Sequence, residues 1–148
     1  QRVTDLNPAT GAKTSNYLAS LLALDDVKRR GLREAIILGS RGEVLEGATS
    51  NVFVVRSGEL HTPPTSAGIL EGITRHVVLE LAARLGIVCH ERELFPDDLL
   101  GADEVFLTSS IRELVPAVRV EQTPIAGGTP GPVFAALLAA YRRHAHAA

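Results

Sequence analysis

Between Glu34 and Pro64 the chain places four short strand-forming runs in succession: "EAIILGS", "EVLEGAT", "NVFVVRS" and "ELHTPP". The turn residues "SRGE" and "RSGE" separate runs within this block. Connections that short join strands antiparallel, because a parallel pair needs a crossover of a dozen residues or more. Strands that come in runs rather than alternating with helices disfavour a doubly wound parallel sheet. The expectation is an α/β, α+β mixed fold: a mixed, largely antiparallel sheet or barrel-like core with flanking helices.

The helices around this block carry clear local signals. "SNYLASLLALDDVKRRG" reads as a helix with Leu18, Leu21, Leu22 and Val27 as its apolar stripe, closed by Gly31. "GILEGITRHVVLELAARLG" becomes helical from Ile73 onward. Ile73, Val77, Val78, Leu81 and Leu85 form the stripe there, with Arg75, Glu80 and Arg84 off it. "IVCHERELF" then reads as a strand, "PDDLLGA" as a short helix opening on proline, and "EVFLTSS" as an apolar strand ending in hydroxyl residues. "LVPAVRVEQTPI" suggests a further strand pair, and "PGPVFAALLAAYRRHAHAA" a closing helix.

Chemistry concentrates at a few positions. The helix from Ile73 has Gly68 and Gly72 around its entry and Thr74 in its first turn. Free amides at a helix N-terminus attract anions, and glycine lets the backbone come close to one. The pattern is neither a Walker loop nor a GxGxxG turn, yet the amides of Gly72, Ile73 and Thr74 with the Thr74 hydroxyl suit a single phosphate. Thr108, Ser109 and Ser110 offer a second group of hydroxyls at a strand end. Lys13 sits among small, apolar and uncharged residues, where desolvation makes a lysine less basic and more nucleophilic. Glu46 precedes the small, polar "GATSN" between two apolar runs, a pocket-like setting in which Asn51 can brace the backbone. Each feature alone also reads as ordinary structure: a surface lysine, a solvated strand glutamate, a plain helix cap, a turn rich in hydroxyls. Arg112 is a surface charge or a holder of a substrate carboxylate.

Composition narrows the function classes. With 148 residues, 45% hydrophobic and 22% charged, the chain has the material for one domain with a core. A net charge of −2 and the lack of any basic block interleaved with aromatics give no reason to expect nucleic acid or a membrane surface. The single cysteine, Cys89, makes no internal disulfide and reads as core, which fits a reduced, cytoplasmic setting. The five histidines show no metal-ligand spacing with acidic partners.

Taken together and in this order, the segments resemble the class IV aminotransferases, the fold type of pyridoxal-phosphate enzymes that includes branched-chain and D-amino acid aminotransferases and aminodeoxychorismate lyase. "AKTSNYL" resembles the family's Schiff-base lysine segment, with Lys13 in the lysine position and Tyr17 beside the cofactor's phenol oxygen. "LEGATSNVFVV" resembles the glutamate segment and implies Glu46 against the pyridine nitrogen, with Thr49 also at the cofactor. "ILEGITR" resembles the phosphate cup formed by Gly72, Ile73 and Thr74, and "ADEVFLTSSIRELVP" the segment that closes it with Ser109 and Ser110. The resemblance implies pyridoxal 5'-phosphate as cofactor and transfer of an amino group from an amino acid to a 2-oxo acid. "NYLASL" leans towards the branched-chain group. The alternatives are a lyase releasing pyruvate and 4-aminobenzoate from aminodeoxychorismate, and a non-catalytic domain that keeps the fold. It further implies that residues 1–12 are an interdomain linker and 13–148 the C-terminal cofactor-binding domain, with an N-terminal domain absent from this chain. A homodimer is the expected assembly.

Overall fold

The structure is a computed structural model and describes residues 17–148. Helix α1, Tyr17–Arg29, leads into a short antiparallel pair, β1 (Ile36–Leu38) and β2 (Val44–Gly47). The main sheet has five strands in the order β5-β4-β3-β6-β7, formed by β3 (Asn51–Arg56), β4 (Glu59–Thr62), β5 (Cys89–Glu91), β6 (Glu104–Ser109) and β7 (Glu113–Pro116). Its pairings are antiparallel except for the edge pair β4–β5. That exception follows from the chain path, because α2 (Ile73–Arg84) lies between those two strands and supplies the crossover. Helix α3 (Pro96–Leu100), a third small sheet of β8 (Arg119–Val120) and β9 (Thr123–Pro124), and helix α4 (Pro132–Ala147) complete the order. The expected mixed, largely antiparallel sheet with flanking helices is present.

The central strands are buried on both faces. On one face Phe53, Val55, Leu60 and Phe106 pack against Val78, Leu81 and Ala82 of α2 and Phe134, Leu137 and Ala140 of α4. On the other, Val52, Val54, Val105 and Leu107 meet Val44, Leu94, Leu99 and Ile125. The near-continuous apolar runs of β3 and β6 are therefore a consequence of double coverage. The buried Glu104 carboxylate accepts from the Val133 and Phe134 amides and so fixes the N-terminus of α4 to β6 (3.0 and 2.8 Å). No helix among the described residues is long and apolar enough to cross a membrane.

Two helical faces differ from the sequence expectation. In α2 the buried residues are Thr74, Arg75, Val78, Leu81 and Ala82, while Ile73 is 78% exposed and Leu85 is also exposed. The helix is turned so that its first-turn polar residues meet the end of the sheet, and Ile73 is left at the rim. In α1 the small Ala23 is buried against Ala35 and Ile37, whereas Leu18, Leu21 and Leu22 are exposed. The short β1–β2 pair offers α1 only a narrow apolar seat, which alanine fills. "IVCHERELF" forms only the three-residue β5. Leu94 then leaves the main sheet to bridge Val44 of β2.

Candidate functional site

The site is built around one short segment, residues 68–74, laid across one end of the main sheet. A 3-10 turn, Thr65–Ala67, ends at Gly68, whose φ of 82° lies in the left-handed region that suits glycine. Ile69 is buried. Leu70 is then clamped from two strands: its amide donates to Glu46 Oε2 of β2 (3.1 Å), and its carbonyl accepts from Asn51 Nδ2 of β3 (2.9 Å). Asn51 does brace backbone, though the carbonyl it holds belongs to Leu70 rather than to its own turn. Gly72 is needed for space, since a Cβ there would stand 2.2 Å from Asn51 Oδ1.

Gly72 is the N-cap of α2, and no side chain caps the helix. The Gly72 amide is already spent on the Leu70 carbonyl (2.9 Å). The first-turn amides of Ile73 and Thr74 have no intrahelical acceptor by virtue of their position. Beside them Thr74 is buried. Thr108 at the end of β6 stands opposite Asn51 in the register. Its hydroxyl is buried without a partner among the described residues. An unpaired buried donor is costly, and here it lies at the same sheet end as an uncapped helix start.

The remaining hydroxyl residues are placed differently. Ser109 Oγ accepts from the Arg112 amide (3.1 Å) and shapes the hairpin between β6 and β7, while Ser110 is exposed on that hairpin. Glu113, which follows, has a φ of 58°, a left-handed conformation uncommon for a residue with a side chain. Thr49 is exposed; its hydroxyl donates to Glu34 Oε2 (2.8 Å) and accepts from Arg112 Nη2 (2.8 Å). Glu34 Oε2 also accepts from Ser50 Oγ and Arg112 Nη2. One buried carboxylate thus ties the turn after Glu46 to the hydroxyl hairpin. Arg112 is an ion-paired surface charge on that carboxylate. Lys13 lies outside the described residues, and Tyr17 opens α1.

Glu46 is half-buried, and burial pushes its carboxyl above the ordinary glutamate range, with the Leu70 hydrogen bond pulling the other way. A carboxylate held like this favours either a proton or a cationic partner. Glu34 and Arg75 are the residues that sequence reasoning missed. Arg75 did carry a signal, because a cation in the first turn of a helix opposes the helix dipole.

The model of the family described as amino-transferase class IV matches residues 1–120. The chain belongs to the class IV aminotransferases. The branched-chain-amino-acid aminotransferase of Salmonella typhimurium is 39% identical over 126 residues, which are 85% of this chain and 41% of that protein. A crystal structure of Escherichia coli branched-chain amino acid aminotransferase superposes with a TM-score of 0.91 at 37% identity, covering 97% of this chain and 48% of that one. A crystal structure of branched-chain amino acid aminotransferase from Thermobaculum terrenum in its PLP form (holo form) gives a TM-score of 0.89 at 35% identity, covering 96% of this chain and 47% of that one. This class IV aminotransferase chain therefore spans less than half the length of each of these relatives.

Proposed function

We propose that the chain is the cofactor-binding part of a pyridoxal-phosphate-dependent aminotransferase that moves an amino group from an amino acid to a 2-oxo acid. Branched-chain amino acids are the favoured donors, with D-amino acids next. Support comes from family membership and from relatives named for the branched-chain reaction. The observation that carries the reading is the unpartnered, buried Thr108 hydroxyl at the same sheet end as the uncapped start of α2. A phosphate monoester is an acceptor of the right chemistry for both.

Pyridoxal phosphate, when bound, supplies an electron-withdrawing ring that eases loss of the substrate's Cα proton. The Ile73 and Thr74 amides and the Thr74 and Thr108 hydroxyls would hold the phosphate, with Gly72 giving the backbone room and Ser109 and Ser110 closing the site from the β6–β7 hairpin. Glu46 would hold a proton at the ring nitrogen; its half-buried carboxylate suits a cationic partner. Lys13 would be the attachment point, and its amine would carry the Cα proton. Tyr17 would lie at the phenol oxygen, and Thr49 would keep Arg112 and Glu34 beside the site. We read residues 1–12 as a linker and 13–148 as the cofactor domain, working in the cytoplasm as part of a homodimer. Borohydride reduction of the pyridoxal-phosphate-loaded protein followed by peptide mapping tests the assignment. The pyridoxyl group is expected on Lys13, and a label on Lys28 with Lys13 unmodified would overturn it.

A further inference from the structure

Arg75 is the buried charge that this site does not yet use. It occupies the third position of α2 and is 4% exposed. Its Nη2 donates to the Pro63 carbonyl (3.1 Å) and to Glu91 Oε1 (2.5 Å), while its Nε is buried without an acceptor among the described residues. A guanidinium in the first turn of a helix is disfavoured by the dipole, and α2 has no acidic residue in that turn to offset it. Its carboxylate partner is a poor counterweight, because the Glu91 side chain is 50% exposed and that of Arg75 only 5%. Water screens the glutamate's charge far more than the arginine's.

Pro63 follows β4 and Glu91 ends β5, next to each other in the parallel register at the sheet end that also holds Asn51 and Thr108. Two features at this end therefore lack a partner, the start of the helix and the Thr108 hydroxyl, and a third, the guanidinium, is paired only with a half-exposed carboxylate. A multiply charged anion at the start of α2 answers all three. We infer that Arg75 is a positioning and electrostatic residue for the phosphate group, fixing the first turn of α2 to the sheet end and raising phosphate affinity through its buried charge without touching the anion. This rests on the cofactor-phosphate reading given above.

Charge and tether separate on substitution. Arg75→Met removes both, Arg75→Lys keeps the charge but loses the fork, and Glu91→Gln keeps an acceptor oxygen while removing the opposing charge. Binding of inorganic phosphate and of pyridoxal phosphate is measured by calorimetry on the full chain, with circular dichroism to confirm folding. Arg75→Met is expected to weaken both about tenfold, with Arg75→Lys recovering most of the loss. Glu91→Gln is expected to tighten both, roughly two- to fivefold. Weaker binding in Glu91→Gln would overturn the inference and make the pair a simple brace, an outcome readable even if Arg75→Met fails to fold. Folded Arg75→Met that binds pyridoxal phosphate as wild type does would overturn it while leaving the cofactor reading intact. Arg75-dependent binding of inorganic phosphate with no binding of pyridoxal phosphate would support it and remove the cofactor reading instead.

Discussion

Glu46 joins a stability effect of burial to the role proposed for it. Its folded-state pKa is raised by burial, so the folded chain favours the protonated form relative to the unfolded chain. Glu46 therefore costs nothing below the unfolded-state value, and it destabilises progressively as pH rises through the folded one. Without cofactor, Glu46→Gln is expected to raise the melting temperature at neutral pH and to flatten its dependence on pH above the ordinary glutamate range. The same variant should lose most of its turnover, since glutamine holds no charge against a protonated ring nitrogen. Equal turnover in the variant would make Glu46 a mere strand residue. Thr74 makes a simpler case. Replacing it with valine removes one charge-assisted hydrogen bond, worth roughly 1.5–3 kcal/mol, so pyridoxal phosphate should bind about ten- to a hundredfold more weakly in a fluorescence titration.

At the scale of the element, the start of α2 depends on Gly72 as much as on any polar group. A methyl at that position would collide with Asn51 Oδ1, and Asn51 gives way only by releasing the Leu70 carbonyl. Gly72→Ala is therefore expected to cost about 1–3 kcal/mol, read as a lower denaturant midpoint with an unchanged slope. Cofactor affinity should fall with it, because Leu70 is also the residue whose amide meets Glu46. The β6–β7 hairpin shows the same economy of parts. Ser109 shapes its turn, Glu113 takes the left-handed residue, and Arg112 returns to Glu34.

Across the described residues, the four most exposed large apolar side chains fall on α1, the start of α2 and the β6–β7 hairpin. Leu18 and Leu22 on α1, Ile73 at the start of α2 and Ile111 on the hydroxyl hairpin are 67%, 59%, 78% and 94% exposed. Ile73 and Ile111 adjoin residues of the proposed phosphate site in the chain. Exposed apolar surface next to a functional site marks a surface that is covered in the working protein. The expected result in analytical ultracentrifugation is a two-fold dimer or larger assembly, two-fold dimers being the commonest arrangement. Full-rate transamination by a monodisperse monomer of these 148 residues would contradict this picture.

The sequence by itself determined what local chemistry can encode. Gly72 before Ile73 and the proline at Pro96 mark helix starts at the positions where α2 and α3 begin. The short turns around Gly42 and Gly58 likewise mark the antiparallel pairs β1–β2 and β3–β4. These signals act within a few residues of backbone, so no distant contact overrides them. The ordered motifs also carried the family. Tertiary structure alone decided which helical faces are covered and which polar groups meet. Glu46 and Asn51 reach Leu70 across 24 and 19 residues, and Arg112 reaches Glu34 across 78. Periodicity assigned Ile73 to the core and Arg75 to solvent, and the structure reverses both. The reason is physical: a hydrophobic period locates a helix, but the surface packed against it sets its rotation. At this sheet end that surface is polar, formed by the Pro63 carbonyl and the Glu91 carboxylate.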